Sequence, residues 1–255
     1  MQIPSYYGPE APLIDPEELE GWVLQEDEDV IVLNKPGWVV CHPSKNGPWS
    51  SLVGAIKEAR GMERGHLVSR LDRETSGLVV LAKHHHAASR LQTAFAKRNT
   101  KKRYLALLEG HLNEERTTES NIENDPESPV VVQQRVSFGG RGKSAETHFK
   151  PLEQWGGHTL AEVIPVTGRK HQIRVHAAWL GHPVLGDKIY AGDPTCYLEF
   201  IENGWTERLD KQLRFHRQAL HAHKLEIWGE GFHHEWTAPC PFEDEGYREL
   251  ATSGT

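Results

Sequence analysis

The sequence predicts an α+β fold, on three observations. Short β-branched and apolar runs bounded by turn residues recur along the chain, helical periodicity appears in a few places only, and the two do not alternate regularly as in a doubly wound parallel sheet. Neither a GxGxxG nor a GxxxxGK[ST] loop is present, so no nucleotide cofactor is expected. The composition, 37% hydrophobic and 25% charged over 255 residues, suits one domain with a substantial core.

Taken in order, residues 1–21 carry Pro4, Pro9, Pro12 and Pro16 and read as an extended acidic arm, leaving residues 22–255 as the folded domain. Val30-Ile31-Val32-Leu33 followed by Asn34-Lys35-Pro36-Gly37 reads as a buried strand running into a turn. Ser50 is placed to cap a helix carrying Leu52, Val53 and Ile56, with Gly61 just past its end. Leu78 to Ala82 reads as a second buried strand, and Ala87, Leu91, Ala94 and Phe95 recur at helical spacing up to Arg98. The segment from Lys101 to Leu108 is a strand with a basic start, placing Arg103, Leu105 and Leu107 on one side and Lys102, Tyr104, Ala106 and Leu108 on the other.

Residues 113–142 are polar and rich in Asn, Pro and Gly, and read as a surface insertion of loops with one strand at Val130 to Val132. Strands are expected at 145–152 and 159–164, a helix at 170–180 capped near Thr167, and a last strand at 220–228.

The net charge of -7 argues at first against a polyanionic partner. However, residues 1–34 hold nine acids and no Lys or Arg, so the remainder of the chain carries +2. The local potential of a cleft, not the total, attracts a polyanion, and RNA stays open as a partner. No basic segment followed by an apolar stretch opens the chain, and no apolar run is long enough to span a bilayer. Cys41, Cys196 and Cys240 are odd in number and widely spaced, unlike a disulfide framework or a paired zinc motif. A monomeric, cytoplasmic protein with no membrane association is the expectation.

The densest polar cluster at an element boundary is Ser69-Arg70-Leu71-Asp72-Arg73-Glu74-Thr75-Ser76-Gly77, ahead of the Leu78 strand. By itself it reads more readily as a salt-bridged turn, with Asp72 capping the backbone and Gly77 supplying an unusual dihedral, than as a site. Further segments recur in order: Asn34-Lys35-Pro36-Gly37 through His42-Pro43, Lys102-Arg103-Tyr104, Gly168-Arg169-Lys170-His171-Gln172-Ile173-Arg174-Val175-His176, Leu180-Gly181-His182-Pro183, Leu185-Gly186-Asp187, Tyr190 and Leu220-His221-Ala222. Together they resemble the RluA family of pseudouridine synthases, from about Trp22 to Phe242.

The resemblance implies a bent, mixed, largely antiparallel sheet flanked by helices and loops, with a central catalytic cleft. It implies isomerisation of specific uridines in structured ribosomal or transfer RNA, in a short form with no room for the extra N-terminal RNA-binding domain of many members. Asp72 is then the catalytic aspartate, Arg70 the arginine that helps extrude the target nucleotide, Tyr104 the aromatic that stacks on its base, and Arg174 the partner of the aspartate. Extrusion costs a few kcal/mol and stacking returns roughly 1 to 3 kcal/mol, so both roles suit the chemistry. A guanidinium opposes the rise in carboxylate pKa that a closed pocket causes. The family usually has His where Ser69 stands, a departure that points to altered substrate contacts.

Lys101, Lys102 and Arg103 beside Tyr104 read as a wall for RNA phosphates, although a basic run is more often simply solvated. Arg169 at a helix start and His171 are further candidates for RNA contact. The histidine groups at 84–86, 221 and 223, and 233–234 lack the spacing of known metal sites, so neither metal nor cofactor is expected. Two rivals stand beside the enzyme: a catalytically silent RNA-binding protein on the same fold, and a metal-dependent hydrolase built from the histidines.

Overall fold

The computed structural model describes residues 13–42 and 46–252. Pro4, Pro9 and Pro12, on which the extended-arm expectation partly rests, lie outside these residues, as does Pro43. Pro16 opens a helix instead, α1 (Pro16–Gly21), since proline is tolerated in the first turn and the Asp15 carboxylate caps it by accepting from Glu17 N–H at 2.7 Å. Ile14 and Leu19 are buried, which makes this stretch part of the core.

In chain order the other elements are β1 (Val23–Glu26), β2 (Val30–Lys35), α2 (Leu52–Arg60), β3 (His66–Leu67), β4 (Ser76–Ala82), α3 (His85–Ala96), β5 (Thr100–Glu109), β6 (Arg116–Asn124), β7 (Gln134–Ser137), β8 (Lys143–Trp155), β9 (His158–Pro165), α4 (Gln172–Trp179), α5 (Thr195–Asn203), α6 (Glu207–Leu213), β10 (Leu220–Gly229), β11 (Phe232–Thr237) and α7 (Tyr247–Thr252). The strands form a mixed, largely antiparallel sheet, as the α+β expectation requires, and the chain divides into two compact units.

One unit holds the described residues up to Lys102 together with His221 to Cys240. Here β2 lies between β1 and β4, antiparallel to both. The far edge of β4 is shared by β10, parallel at Ser76 and Gly77, and by β3, antiparallel at Leu81 and Ala82. Both long strands are apolar throughout because both faces are covered. Ile31, Leu33, Val79 and Leu81 pack with Leu19, Leu52 and Ile56 of the two helices, while Val30, Val32, Leu78 and Val80 are buried on the opposite face. Each such side chain contributes about 1.5 to 3 kcal/mol through burial.

Helix α2 starts one residue later than the sequence suggests. Ser51 Oγ accepts from Gly54 N–H at 3.2 Å, whereas Ser50 closes a preceding 3-10 turn. Gly77 is forced by close approach: its φ is +109° and a Cβ there would lie 2.3 Å from the Ala222 carbonyl oxygen.

The acids of the N-terminal stretch act inside this unit. Glu20 and Glu26 both pair with Arg60, Glu26 also reaches Lys83, and Asp29 reaches Arg90 and His84.

The second unit, from Arg103 to Leu220 and beyond Pro241, carries the antiparallel order β5-β9-β8-β6-β7. The expected insertion at 113–142 is thus two paired strands, and Val130 to Val132 is a turn. Two polar residues of β6 meet polar partners, whereas the buried Thr118 hydroxyl has none among the described residues. Ser120 Oγ bonds His176 Nε2 at 3.0 Å and Thr117 Oγ1 bonds His148 Nδ1 at 2.8 Å, while Ile122 faces Ala145 and Val175. No helix among the described residues is long and apolar enough to cross a membrane.

Candidate active site

Arg70 and Asp72 lie in the loop that enters β4, a mounting on a fully buried strand. The backbone of this loop is held at each step. Thr75 N–H donates to the Asp72 carbonyl at 3.1 Å, Cys41 Sγ to the Leu71 carbonyl at 3.5 Å, and Arg73 Nε to the Trp38 carbonyl at 3.2 Å. Lys35, at the end of β2 and 0% exposed, donates from Nζ to the carbonyls of Pro36 at 2.8 Å and Arg73 at 3.1 Å. A buried ammonium keeps its charge only with such acceptors, so its position is dictated. Asp72 itself is half-buried, whereas Arg70 is exposed and has no carboxylate partner among the described residues.

Tyr104 and Arg174 belong to the other unit. Tyr104 is on β5 opposite Val163 of β9, half-buried. Arg174 projects from α4 and is buried. Its Nε and Nη2 donate to Oδ2 and Oδ1 of Asp187 at 2.5 and 2.8 Å, a two-pronged pair that fixes the guanidinium plane. The Tyr190 ring lies 5.1 Å from the guanidinium carbon. Asp187 is fully buried, and burial pushes its carboxyl upward. The Arg174 charge and hydrogen bonds, with donation from Ile189 and Tyr190 N–H, outweigh this and hold it below the usual carboxylate range.

Sequence reasoning gives Asp187 and Tyr190 no role beyond membership of a motif. The available signal is a buried arginine, which requires a carboxylate from its own neighbourhood.

His171 occupies a left-handed backbone conformation at the start of α4, and its Nδ1 meets the Tyr190 hydroxyl at 2.9 Å. That hydroxyl also accepts from Gln134 N–H at 2.8 Å. His171 therefore braces the ring that carries Arg174. The expected cap at Thr167 does not form. Thr167 Oγ1 and Arg169 N–H both donate to Gln172 Oε1, at 2.7 and 2.9 Å, so this helix-start amide is already used. The Arg169 side chain donates through Nε to the Ser144 carbonyl at 2.9 Å.

Of the basic strand, Lys101 and Arg103 are exposed and paired with Glu226 at 3.5 Å and Glu162 at 3.3 Å. Lys102 lies on the other side against Phe95, and burial lowers its pKa.

His176 is enclosed between Ser120 and Thr147, and burial takes its pKa down to about 4.

Comparison with known proteins identifies the family. A family model described as RNA pseudouridylate synthase matches residues 29–179. "Ribosomal large subunit pseudouridine synthase D" of Escherichia coli (strain K12) is 34% identical over 234 residues, 89% of this chain and 69% of that protein. The protein of the same name from Xylella fastidiosa is 37% identical over 217 residues, 83% of this chain and 63% of that one. Among solved structures, human RNA Pseudouridylate Synthase Domain Containing 1 superposes with a TM-score of 0.70 at 25% identity, covering 100% of this chain and 98% of that one. The chain belongs to the RNA pseudouridylate synthase family.

Proposed function

We propose that Asp72 is the nucleophile by which this pseudouridine synthase isomerises uridine in RNA, with Arg70 displacing the target nucleotide, Tyr104 stacking on its base and Arg174 countering the carboxylate charge. In the reaction the C1′–N1 bond breaks, the uracil turns, a C1′–C5 bond forms, the C5 hydrogen leaves as a proton and N1 gains one. Nothing is oxidised or reduced and no second substrate enters.

The observation that carries the assignment is the mounting of Asp72, whose loop is held by Lys35, Cys41 and the Arg73–Trp38 bond while Arg70 beside it stays exposed, with no carboxylate partner among the described residues. A fixed loop with one exposed cation beside the carboxylate suits a site that must hold a nucleophile and part a base stack.

Arg174, fixed by Asp187 and Tyr190, supplies a positive charge that cannot be lost by titration. The exposed pairs of Lys101 and Arg103 are each worth at most about 1 kcal/mol, so a phosphate can replace the carboxylate. Lys102 and Arg169 complete the RNA-facing set, and His171 acts by bracing Tyr190. The names of the bacterial relatives favour large-subunit ribosomal RNA as substrate. On this reading the enzyme works as a monomer in the cytoplasm.

The test is tritium release from large-subunit ribosomal RNA labelled at uridine C5, using wild type and Asp72→Asn. Release by the wild type alone is expected. Equal release by the variant would remove Asp72 from the mechanism, and no release by the wild type would reject this RNA as substrate.

A further inference from the structure

The edge of the second unit where β7 turns into β8 carries two large aromatic side chains in the open. Phe138 is 68% exposed and Trp179, at the end of α4, is 54% exposed, yet their rings meet at 5.4 Å and 59°. Such an exposed pair is unfavourable unless something covers it.

Charge at this edge is equally unusual. In the same unit Arg116, Arg135, Arg208 and Arg248 have carboxylate partners, while Lys211 and Arg214, at the end of α6, have none among the described residues. Arg141, Lys143, Arg169 and Lys170 also have none among the described residues. They lie together: Arg141 and Lys143 follow Phe138 in the connection from β7 to β8, and Arg169 is bonded to Ser144 on β8. Helix α4 leads from this basic group to Trp179, about 12 Å for its eight residues.

Aromatic faces flanked by uncompensated cations are complementary to an unpaired nucleotide, whose base stacks while its phosphates meet Arg and Lys. We infer that Phe138 and Trp179, with Arg141, Lys143 and Arg169, form a docking surface for an unpaired nucleotide of the RNA substrate other than the isomerised uridine. This inference rests on RNA being the substrate. A second copy docked through the same surface would set these cations against one another, so the local excess of cations selects a polyanion.

The probe is a fluorescein-labelled single-stranded oligouridine, with affinity followed by anisotropy across a salt series and folding checked by circular dichroism. Trp179→Ala and Phe138→Ala are expected to weaken binding by about five- to a hundredfold, and Trp179→Phe to retain most of it. Arg141→Ala combined with Lys143→Ala, on an exposed turn, is expected to lower the slope of log K against log salt by about 1.4.

Wild-type affinity in folded Trp179→Ala with an unchanged slope in the double variant would overturn the inference. So would concentration-dependent self-association that Phe138→Ala abolishes, because the surface then belongs to a second copy. Tritium release by the wild type is measured in parallel. Its presence with unaltered binding in the variants sinks the docking surface alone, and its absence sinks the substrate reading.

Discussion

Replacing Asp187 by asparagine isolates the pair that holds Arg174. Oδ1 of Asp187 accepts from Arg174 Nη2, Ile189 N–H and Tyr190 N–H, and Oδ2 accepts from Arg174 Nε. Asparagine keeps the first oxygen but turns an NH2 toward the Nε–H, donor against donor, and removes the Asp187 charge from beside a buried guanidinium. Breaking one side of a buried pair costs about 3 to 5 kcal/mol. In a chain of this length 1 kcal/mol moves the midpoint by roughly 2 to 4 °C, so Tm is expected to fall by roughly 6 to 20 °C. Thermal unfolding at neutral pH, followed by circular dichroism, measures this.

The pH course provides a second check. Because the folded carboxyl titrates below its unfolded value near 3.8, the contribution is complete above that value and lost only as pH falls through the lower folded one. The gap between wild type and variant should therefore stay constant from pH 7 to about 5 and close only in stronger acid. A midpoint within about 1 °C of wild type would refute the view that this pair holds the arginine in place.

Gly77→Ala should cost more than about 4 kcal/mol, through loss of soluble yield or a collapsed denaturation midpoint, since its Cβ would overlap the Ala222 carbonyl. Lys35→Met removes a donor from two carbonyls and should lower stability by about 2 to 5 kcal/mol in urea titration, with tritium release falling as the Asp72 loop loosens. Wild-type release from a folded Lys35→Met enzyme would contradict that link. His176 is neutral when folded and protonates near pH 4, against about 6.5 unfolded, so it withdraws up to about 3 kcal/mol of stability as pH falls between those values. His176→Asn should flatten the pH dependence of stability there, and an unaltered slope would contradict the assignment.

What the sequence discloses depends on where each residue finds its partner. β2 and β4 are legible because both faces bury apolar side chains, leaving an uninterrupted apolar run. β6 is not, since its inward residues include Thr118 and Ser120, whose neighbours come from distant helices and strands. Val130 to Val132 has the composition of a strand, yet Ser128 Oγ accepts from Val130 N–H, the Val130 carbonyl accepts from Gln133 N–H, and Val131 is 90% exposed. Local turn chemistry overrides β propensity there. Helices α5 and α6 are short amphipathic pieces between loops and give a weak periodic signal. Within the site, Arg70 and Asp72 are recognisable from a compact motif. The clamp on Arg174 is harder to read, because Asp187 lies 13 positions beyond it and only burial shows that the arginine requires it.

The same reasoning explains how an acidic chain can serve RNA. Net charge counts carboxylates that Arg60, Arg135 and Arg248 already neutralise. A polyanion responds instead to cations without a carboxylate partner among the described residues, which include Arg70 in one unit and Arg141, Lys143, Arg169 and Lys170 in the other. Since attraction through exposed charges is screened over about 8 Å at physiological salt, RNA senses these groups and not the sum of -7. Added salt should accordingly weaken RNA binding despite the negative total, whereas net repulsion would make salt strengthen it.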